Sequence, residues 1–171
     1  VPGVRKVMWS PYQKLVVGES LPTGIGDYYI SQNNVGYQII IDLSDAGISA
    51  RPEKFQLELK GLSQYDIPLL LHPNPKSFLI VGAGAGNDAA GGLRHSVQSV
   101  TAVEIDPGII AIGQELHPEK PYLSPNVQVI NDDARSFLAT TREKYDVIAF
   151  GLLDSLTTTS LTNARLDHYV Y

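Results

Sequence analysis

The sequence predicts an α/β fold in which helices cover a parallel sheet and a small antiparallel β subdomain comes first. From Ser77 onward, short apolar runs alternate with helical patterns, and neighbouring parallel strands need such covering connections. Before residue 51, strand-like runs are instead separated by turn residues. We therefore expect an N-terminal antiparallel β subdomain over residues 1–50 and an α/β domain over residues 51–171.

The first half of the chain contains short strand-like runs and then a helical pattern. The runs are Lys6 to Trp9, Gln13 to Val17, Asp27 to Ile30 and Tyr37 to Leu43. Asn33, Asn34 and Gly36 accept the left-handed conformations that tight turns require, so the last two runs are predicted to form a hairpin. Apolar spacing that starts at Arg51, continues through Leu62 and ends at residues 68–71 predicts a helix that leads into a proline-rich connector at residues 72–75.

The second half alternates regularly between the two kinds of element. Strands are predicted at residues 77–81, 100–105, 127–130 and 146–150, and helices at residues 88–95, 107–116 and 134–140. This alternation is typical of repeated βαβ units.

Composition narrows the classes of protein to consider. With 43% hydrophobic and 18% charged residues, the chain has the composition of a soluble globular protein. A net charge of −5 argues against a nucleic-acid partner. The sequence has no cysteine, and its four histidines lack ligand spacing, so no metal site is predicted. The absence of cysteine suits a reducing compartment, so we expect a cytoplasmic domain. Because the sequence begins with Val1, we also expect this domain to be excised from a longer chain.

A glycine-rich turn follows the first strand of the α/β half. Gly82, Gly84 and Gly86 allow a sharp turn and a close approach of the backbone to a ligand. The alternative is a tight turn that binds nothing. The next strand ends at Glu104, 18 residues after Gly86, where a carboxylate can accept both hydroxyls of a ribose. Together these features favour a Rossmann-like nucleoside site with Glu104 as the ribose ligand.

Further acidic residues follow the second and third strands. Asp106 precedes Pro107 and is predicted to cap a helix. Asp132 and Asp133 have two interpretations of equal weight, because one carboxylate could accept the amino group of adenine or simply cap the following helix.

These segments resemble the spermidine synthases, the polyamine aminopropyltransferase family, in identity and in order. The matching segments are Ser10-Pro11-Tyr12-Gln13, residues 68–76 with the sequence PLLLHPNPK, the glycine turn, Val103-Glu104-Ile105-Asp106, Asp132-Asp133-Ala134-Arg135 and Tyr145-Asp146-Val147-Ile148. The resemblance implies a Rossmann-like parallel sheet of the class I methyltransferase type. It also implies transfer of an aminopropyl group from decarboxylated S-adenosylmethionine to a diamine.

The resemblance also implies a set of binding residues. They are Gln13 near the nucleoside, Gly82, Gly84 and Gly86 beside the methionine part, Glu104 on the ribose, and Asp133 with Ala134 at the adenine. The expected co-substrate is S-adenosylmethionine or its decarboxylated form, with no metal. The family's sheet ends in two further strands, and no strand-like run follows Phe150, so the sheet is predicted to lack its last strands.

The acceptor half departs from the family pattern. Ala85 stands where the family has an aspartate for the aminopropyl amine, and Gly151 stands where it has the aspartate that deprotonates the attacking amine. Asp154 remains as the candidate catalytic carboxylate. Asp88 is a second candidate, with a structural alternative as a favourable charge in the first turn of its helix. A cationic polyamine needs several carboxylates, so the chain is predicted to be a poor putrescine aminopropyltransferase.

Three functions follow as hypotheses. The first is a spermidine synthase-like transferase with an altered acceptor site, acting on a small amine or another acceptor. The second is a methyltransferase. The third is a non-catalytic nucleoside-binding regulatory domain of a larger membrane protein. A homodimer and fusion to a membrane region are compatible with all three. The polar residues 155–160 are predicted to be a solvated loop, with a lid over the pocket as the alternative.

Overall fold

A computed structural model describes residues 3–56 and 60–151, which form one antiparallel sheet and one parallel sheet with helices. The strands are β1 (Val4–Trp9), β2 (Lys14–Glu19), β3 (Tyr28–Gln32), β4 (Val35–Ile40), β5 (Ser77–Val81), β6 (Ser99–Glu104), β7 (Val127–Asn131) and β8 (Val147–Phe150). The α-helices are α1 (Asp45–Ser49), α2 (Ile67–Leu70), α3 (Asn87–Arg94), α4 (Pro107–Leu116) and α5 (Ala134–Thr140), and a 3-10 turn spans Pro121–Leu123. The predicted fold class is confirmed.

The antiparallel sheet packs against the α/β part of the molecule. Its strands follow chain order, β1-β2-β3-β4, and Asn33 and Asn34 take positive φ angles of 50° and 69° in the hairpin between β3 and β4. Its inner face shares one apolar cluster with α4, to which Leu15, Ile30 and Ile112 contribute as fully buried side chains. The sheet is therefore fixed over the helix that follows β6.

The helix predicted from Arg51 to residues 68–71 is wrong over most of its described length, and only its end is helical, as α2. Residues 51–56 form turns, and residues 57–59 lie outside the described ranges. Proline at position 52 disfavours helical backbone at Arg51. The Arg51 guanidinium turns back to Asp27 Oδ1 at 2.9 Å. The helices here are instead α1, which Ser44 caps by accepting the Gly47 N–H, and α2.

The parallel sheet has the strand order β7-β6-β5-β8, and all three neighbouring pairs are parallel. The alternation of strands and helices predicted after the connector is confirmed, and α4 and α5 have the predicted bounds. Residues 152–171 lie outside the described ranges. The prediction that no strand follows Phe150 concerns these residues and stays a prediction. Within the described ranges, no helix has the length and apolar character needed to cross a bilayer.

The strand order places a crevice at β5. From β5 the chain continues to β6 and β7 on one side, while β8 lies on the other side. In open parallel sheets, ligands bind at the carboxyl ends of the strands where the order reverses in this way. Gly82 follows β5 and Gly151 follows β8, so these two glycines mark the crevice.

Candidate functional site

The glycine turn has the backbone conformation that its sequence predicts. Gly82, Gly84 and Gly86 have φ angles of 75°, 56° and 107°, which L side chains rarely adopt. The amides of Gly82 and Ala83 donate to the Val103 carbonyl oxygen at 2.9 and 3.0 Å. The turn is therefore fixed to the end of β6.

Glu104 lies against this turn and is almost fully buried. Its carboxylate accepts the Gly84 N–H at 2.8 Å and the Asp106 N–H at 2.9 Å, one on each oxygen. Burial raises the pKa of Glu104, and the nearby charge of Asp106 acts in the same direction, against the two backbone hydrogen bonds. A carboxylate has about four lone-pair positions, so two remain for the hydroxyls of a ligand.

Asp106 is a helix cap, as predicted, and also the centre of a buried network. Its Oδ1 accepts the Gly108 N–H at 2.8 Å at the start of α4. Its Oδ2 accepts from Ser10 Oγ at 2.7 Å and from Gln13 Nε2 at 2.8 Å. The network joins the loop between β1 and β2 to the start of α4. Sequence reasoning did not find this role for Gln13, whose contact with a nucleoside stays a prediction.

Asp133 caps α5, so the capping interpretation describes its present contacts. One oxygen, Oδ1, accepts the N–H groups of Arg135 at 2.7 Å and Ser136 at 3.0 Å. An adenine contact by Asp133 and Ala134 remains a prediction beside this role. Asn131, which the sequence did not single out, is paired in register with Glu104 and donates from Nδ2 to the Glu104 carbonyl oxygen at 2.9 Å. It thereby joins the carboxyl ends of β6 and β7.

A cavity of about 610 Å³ opens at the crevice between β5 and β8. This volume is in the usual range for small-molecule sites, about 300 to 1,000 Å³. The lining consists mainly of apolar groups and glycines: Tyr29, Ile30, Gly36, Gln38, Ile39, Gln64, Tyr65, Pro68, Gly82, Ala83, Gly84, Asp88, Ala149, Phe150 and Gly151. Gly84 lines the cavity and its N–H donates to Glu104, so the predicted ribose ligand lies next to the cavity wall.

Asp88 is the only charged side chain among the described residues that line this cavity. It lies in the first turn of α3, as the structural interpretation requires, and it is half-buried. Burial raises the pKa of Asp88 to about 6, although its own backbone N–H and the charge of Arg94 oppose the shift. Within the described ranges, no salt bridge reaches Asp88, whereas Arg94 pairs with Asp66 and Glu119.

Asn87, next to Asp88, connects the glycine turn to two other parts of the chain. It is buried, and its Nδ2 donates to the Ile39 carbonyl oxygen at 2.8 Å and to the Tyr65 hydroxyl at 3.0 Å. Its Oδ1 accepts the Ile41 N–H at 3.3 Å. Asn87 thus fixes both the end of β4 and the ring of Tyr65, which lines the cavity.

His117 completes the contacts of Asn87. The ring is fully buried, and burial lowers the pKa of His117 to about 4, so it is neutral at pH 7. Its Nδ1 accepts the Glu119 N–H at 3.2 Å, which places the ring proton on Nε2. From there it donates to Asn87 Oδ1 at 3.2 Å. The position of this histidine is explained by a structural role.

The two positions that lack the family's aspartates are filled by close packing. A Cβ at Gly151 would lie 2.5 Å from the Gly82 carbonyl oxygen, and the Gly151 N–H donates to the Val81 carbonyl oxygen at 2.9 Å. Ala85 is fully buried in the cluster below the antiparallel sheet. The candidate catalytic residue Asp154 lies outside the described residues. Within the described part, no group of three or more potential ligands is arranged to hold a metal.

The fold and the glycine-turn site define an α/β domain of the methyltransferase-like class. The model of the "Spermine/spermidine synthase domain" family matches residues 65–169, which is more than half of the chain. The chain therefore belongs to the spermine/spermidine synthase family. The resemblance inferred from the sequence motifs is confirmed.

Individual relatives support this assignment. The polyamine aminopropyltransferase of Yersinia pseudotuberculosis serotype O:1b (strain IP 31758) is 30% identical over 162 residues, which cover 84% of this chain and 54% of that protein. That of Yersinia pestis (strain Pestoides F) is 29% identical over the same shares. The chain thus spans about half the length of these curated relatives.

Solved structures agree on the fold. A spermidine synthase in complex with the transition state analogue AdoDATO superposes with a TM-score of 0.62 at 20% identity, covering 85% of this chain and 46% of that one. The spermidine synthase from Thermotoga maritima gives a TM-score of 0.62 at 18% identity, covering 85% and 47%.

Proposed function

We propose that this domain binds S-adenosylmethionine or decarboxylated S-adenosylmethionine along the glycine turn and transfers a group from it to a small acceptor in the cavity. The observation that carries the proposal is the contact between Glu104 and the turn. Glu104 presents a buried carboxylate directly beside Gly84, with lone pairs left for two ribose hydroxyls. In the proposed mode, Gln13 lies near the nucleoside, and Asp133 and Ala134 contact the adenine.

Gly84 lies both at the Glu104 contact and at the cavity wall, which supports one orientation of the bound donor. The ribose is expected at Glu104, and the sulfonium end is expected on the cavity side of the turn. There it would meet the groups at the ends of β5 and β8, including Gly82 and Gly151. This is the side of a parallel sheet where the chemistry of such folds takes place.

The acceptor site is proposed to differ from a diamine site. A diamine carries two ammonium groups at neutral pH, because a primary amine of this kind has a pKa of about 10. Each buried cation needs a compensating charge or several hydrogen bonds. Among the described lining residues, only Asp88 supplies such a charge. We expect donor binding together with slow aminopropyl transfer to putrescine.

Calorimetry and product analysis test this function together. The protein is titrated with S-adenosylmethionine, decarboxylated S-adenosylmethionine and ATP, the last being an adenine ribonucleotide control without a sulfonium. It is then incubated with each donor and a panel of amines. Mass spectrometry follows methylthioadenosine and S-adenosylhomocysteine. Binding of either adenosyl donor in preference to ATP supports the proposal, and absence of binding to both donors refutes it.

A methyltransferase is the second candidate, and the wall of the cavity favours it. Apolar groups such as Pro68, Ile39 and Phe150 dominate the lining, so an uncharged acceptor also fits. Formation of S-adenosylhomocysteine with a methylated product would select this function. Donor binding without turnover on any acceptor would instead support a regulatory domain.

A further inference from the structure

Asp88 is the only carboxylate among the described residues that line the cavity. Asp88 faces a cavity whose other described walls are uncharged, and no salt bridge reaches it within residues 3–56 and 60–151. The buried acid Asp66, by contrast, is paired with Arg94 and His95. An unpaired carboxylate at the wall of a small-molecule cavity favours one cationic group of a ligand.

The other described residues that line the cavity include several apolar side chains. Phe150 is 63% exposed at the end of β8, and Pro68, Ile39 and the ring of Tyr65 continue the apolar wall. Asn87 holds the Tyr65 hydroxyl at 3.0 Å, so this part of the wall is fixed in place. Aromatic and aliphatic walls bind an apolar group well, and they supply no carboxylate to balance a second ammonium.

We propose that the acceptor is a primary monoamine with an apolar body, whose ammonium group binds Asp88 and whose body lies against Phe150 and Pro68. This inference rests on the proposed function, because it assigns the acceptor of the same site. It differs from a diamine site in requiring one carboxylate and an apolar wall, which are the two features of the cavity lining within the described residues. Gln38 and Gln64 add amides that could bind one further uncharged polar group.

Asp88 can also accept the proton that such a reaction must remove from the amine. The bound ammonium gives one proton to the carboxylate, and the neutral amine nitrogen then forms a bond to the carbon attached to the sulfonium sulfur of the donor. The carbon–sulfur bond breaks, its electron pair stays on sulfur as a neutral thioether, and the proton leaves Asp88 for solvent. Burial raises the pKa of Asp88 to about 6, which makes it a better proton acceptor than an ordinary aspartate.

Binding and turnover experiments test the proposal with three ligands. 2-Phenylethylamine is the monoamine, putrescine is the diamine, and 2-phenylethanol has the same body without the charge. Each is titrated calorimetrically into protein saturated with methylthioadenosine or S-adenosylhomocysteine, and also into protein alone. The variants are Asp88→Asn and, as a matched control on an exposed acid away from the cavity, Glu53→Gln.

We expect these measurements to separate the contribution of the ammonium charge to the affinity from that of the apolar body. 2-Phenylethylamine should bind at least about tenfold more tightly than putrescine or 2-phenylethanol. The Asp88→Asn protein should bind 2-phenylethylamine about tenfold more weakly than the unchanged protein does. Glu53→Gln should change nothing. With an active donor, mass spectrometry should detect the N-alkylated amine, and Asp88→Asn should reduce kcat/KM by about 10² or more.

Two results would overturn the proposal. One is putrescine binding as tightly as 2-phenylethylamine, and the other is an unchanged amine affinity in a folded Asp88→Asn protein. The donor titration separates these results from failure of the proposed function. A protein that binds the donor but no monoamine contradicts only the acceptor assignment, whereas a protein that binds no donor contradicts the function itself.

Discussion

Replacing Glu104 tests the nucleoside site most directly. The residue is 4% exposed, and each of its oxygens accepts one backbone N–H, from Gly84 and from Asp106. Glu104→Ala removes the carboxylate that is expected to accept the ribose hydroxyls. Glu104→Gln keeps the volume of the side chain but replaces one acceptor oxygen with a donor. Comparison of the two variants separates loss of the charge from loss of packing.

The magnitude follows from the kind of hydrogen bond involved. Bonds to a charged group contribute about 1.5 to 3 kcal/mol, so the donor should bind about 10 to 150 times more weakly to Glu104→Ala. The cost to folding should be smaller than the two lost backbone contacts suggest. Burial raises the pKa of Glu104, which means that its ionised form is itself unfavourable in the folded protein.

Calorimetric titration with both adenosyl donors measures the affinity, and urea denaturation followed by circular dichroism measures the folding. Glu53→Gln is the control, because Glu53 is an exposed acid away from the site. A Glu104→Ala protein that folds normally and binds the donors with unchanged affinity would remove Glu104 from the ribose site. It would also remove the main support for a nucleoside on the glycine turn.

Three further changes test the groups around the cavity. The folded pKa of Asp88, about 6, lies above its unfolded value of 3.8. Its ionisation therefore has no effect on the free energy of unfolding below about pH 4, lowers it progressively between about pH 4 and pH 6, and has its full effect above about pH 6. Asp88→Asn should therefore raise the free energy of unfolding at pH 7, by up to about 3 kcal/mol, and not at pH 4; equal gains at both pH values would contradict this. Asn87→Ala should cost about 2 to 4 kcal/mol in urea denaturation, because buried donors lose their acceptor, whereas exposed Asn126→Ala should cost under about 0.5 kcal/mol. Gly151→Ala should lower Tm, because its Cβ would lie 2.5 Å from a carbonyl oxygen, while Gly36→Ala, whose Cβ meets nothing within 4 Å, should not; equal Tm values would show that the end of β8 adjusts freely.

The sequence predicted those elements whose signals are local. The bounds of α4 and α5 were predictable because Asp106 and Asp133 cap the helices through backbone N–H groups two or three residues away. The segment after Arg51 was mispredicted because a contact with Asp27, distant in the chain, turns the arginine back. Periodicity in the segment itself contains no information about that contact.

The same distinction applies to the site. The position of Glu104 beside the glycine turn could be predicted, because the spacing from such a turn to the end of the next strand is set by one βαβ unit. The role of Asn87 could not be predicted, because its partners Ile39, Ile41, Tyr65 and His117 come from three separate segments of the chain. A single asparagine after a glycine turn gives no sign of these partners in the sequence.

The proposed difference at the acceptor site has a physical explanation in the packing at Gly151 and Ala85. At Gly151 the backbone of β8 approaches the Gly82 carbonyl too closely for any side chain, and at Ala85 the methyl group is buried in the core under the antiparallel sheet. Restoring an aspartate at either position would therefore require the backbone or the core to move. The first turn of α3 has no such restriction, since Asp88 lines the cavity from there. In the proposed function, the donor would therefore depend on backbone geometry at the glycine turn, whereas the charge available to an acceptor among the described lining residues would come from the side chain of Asp88.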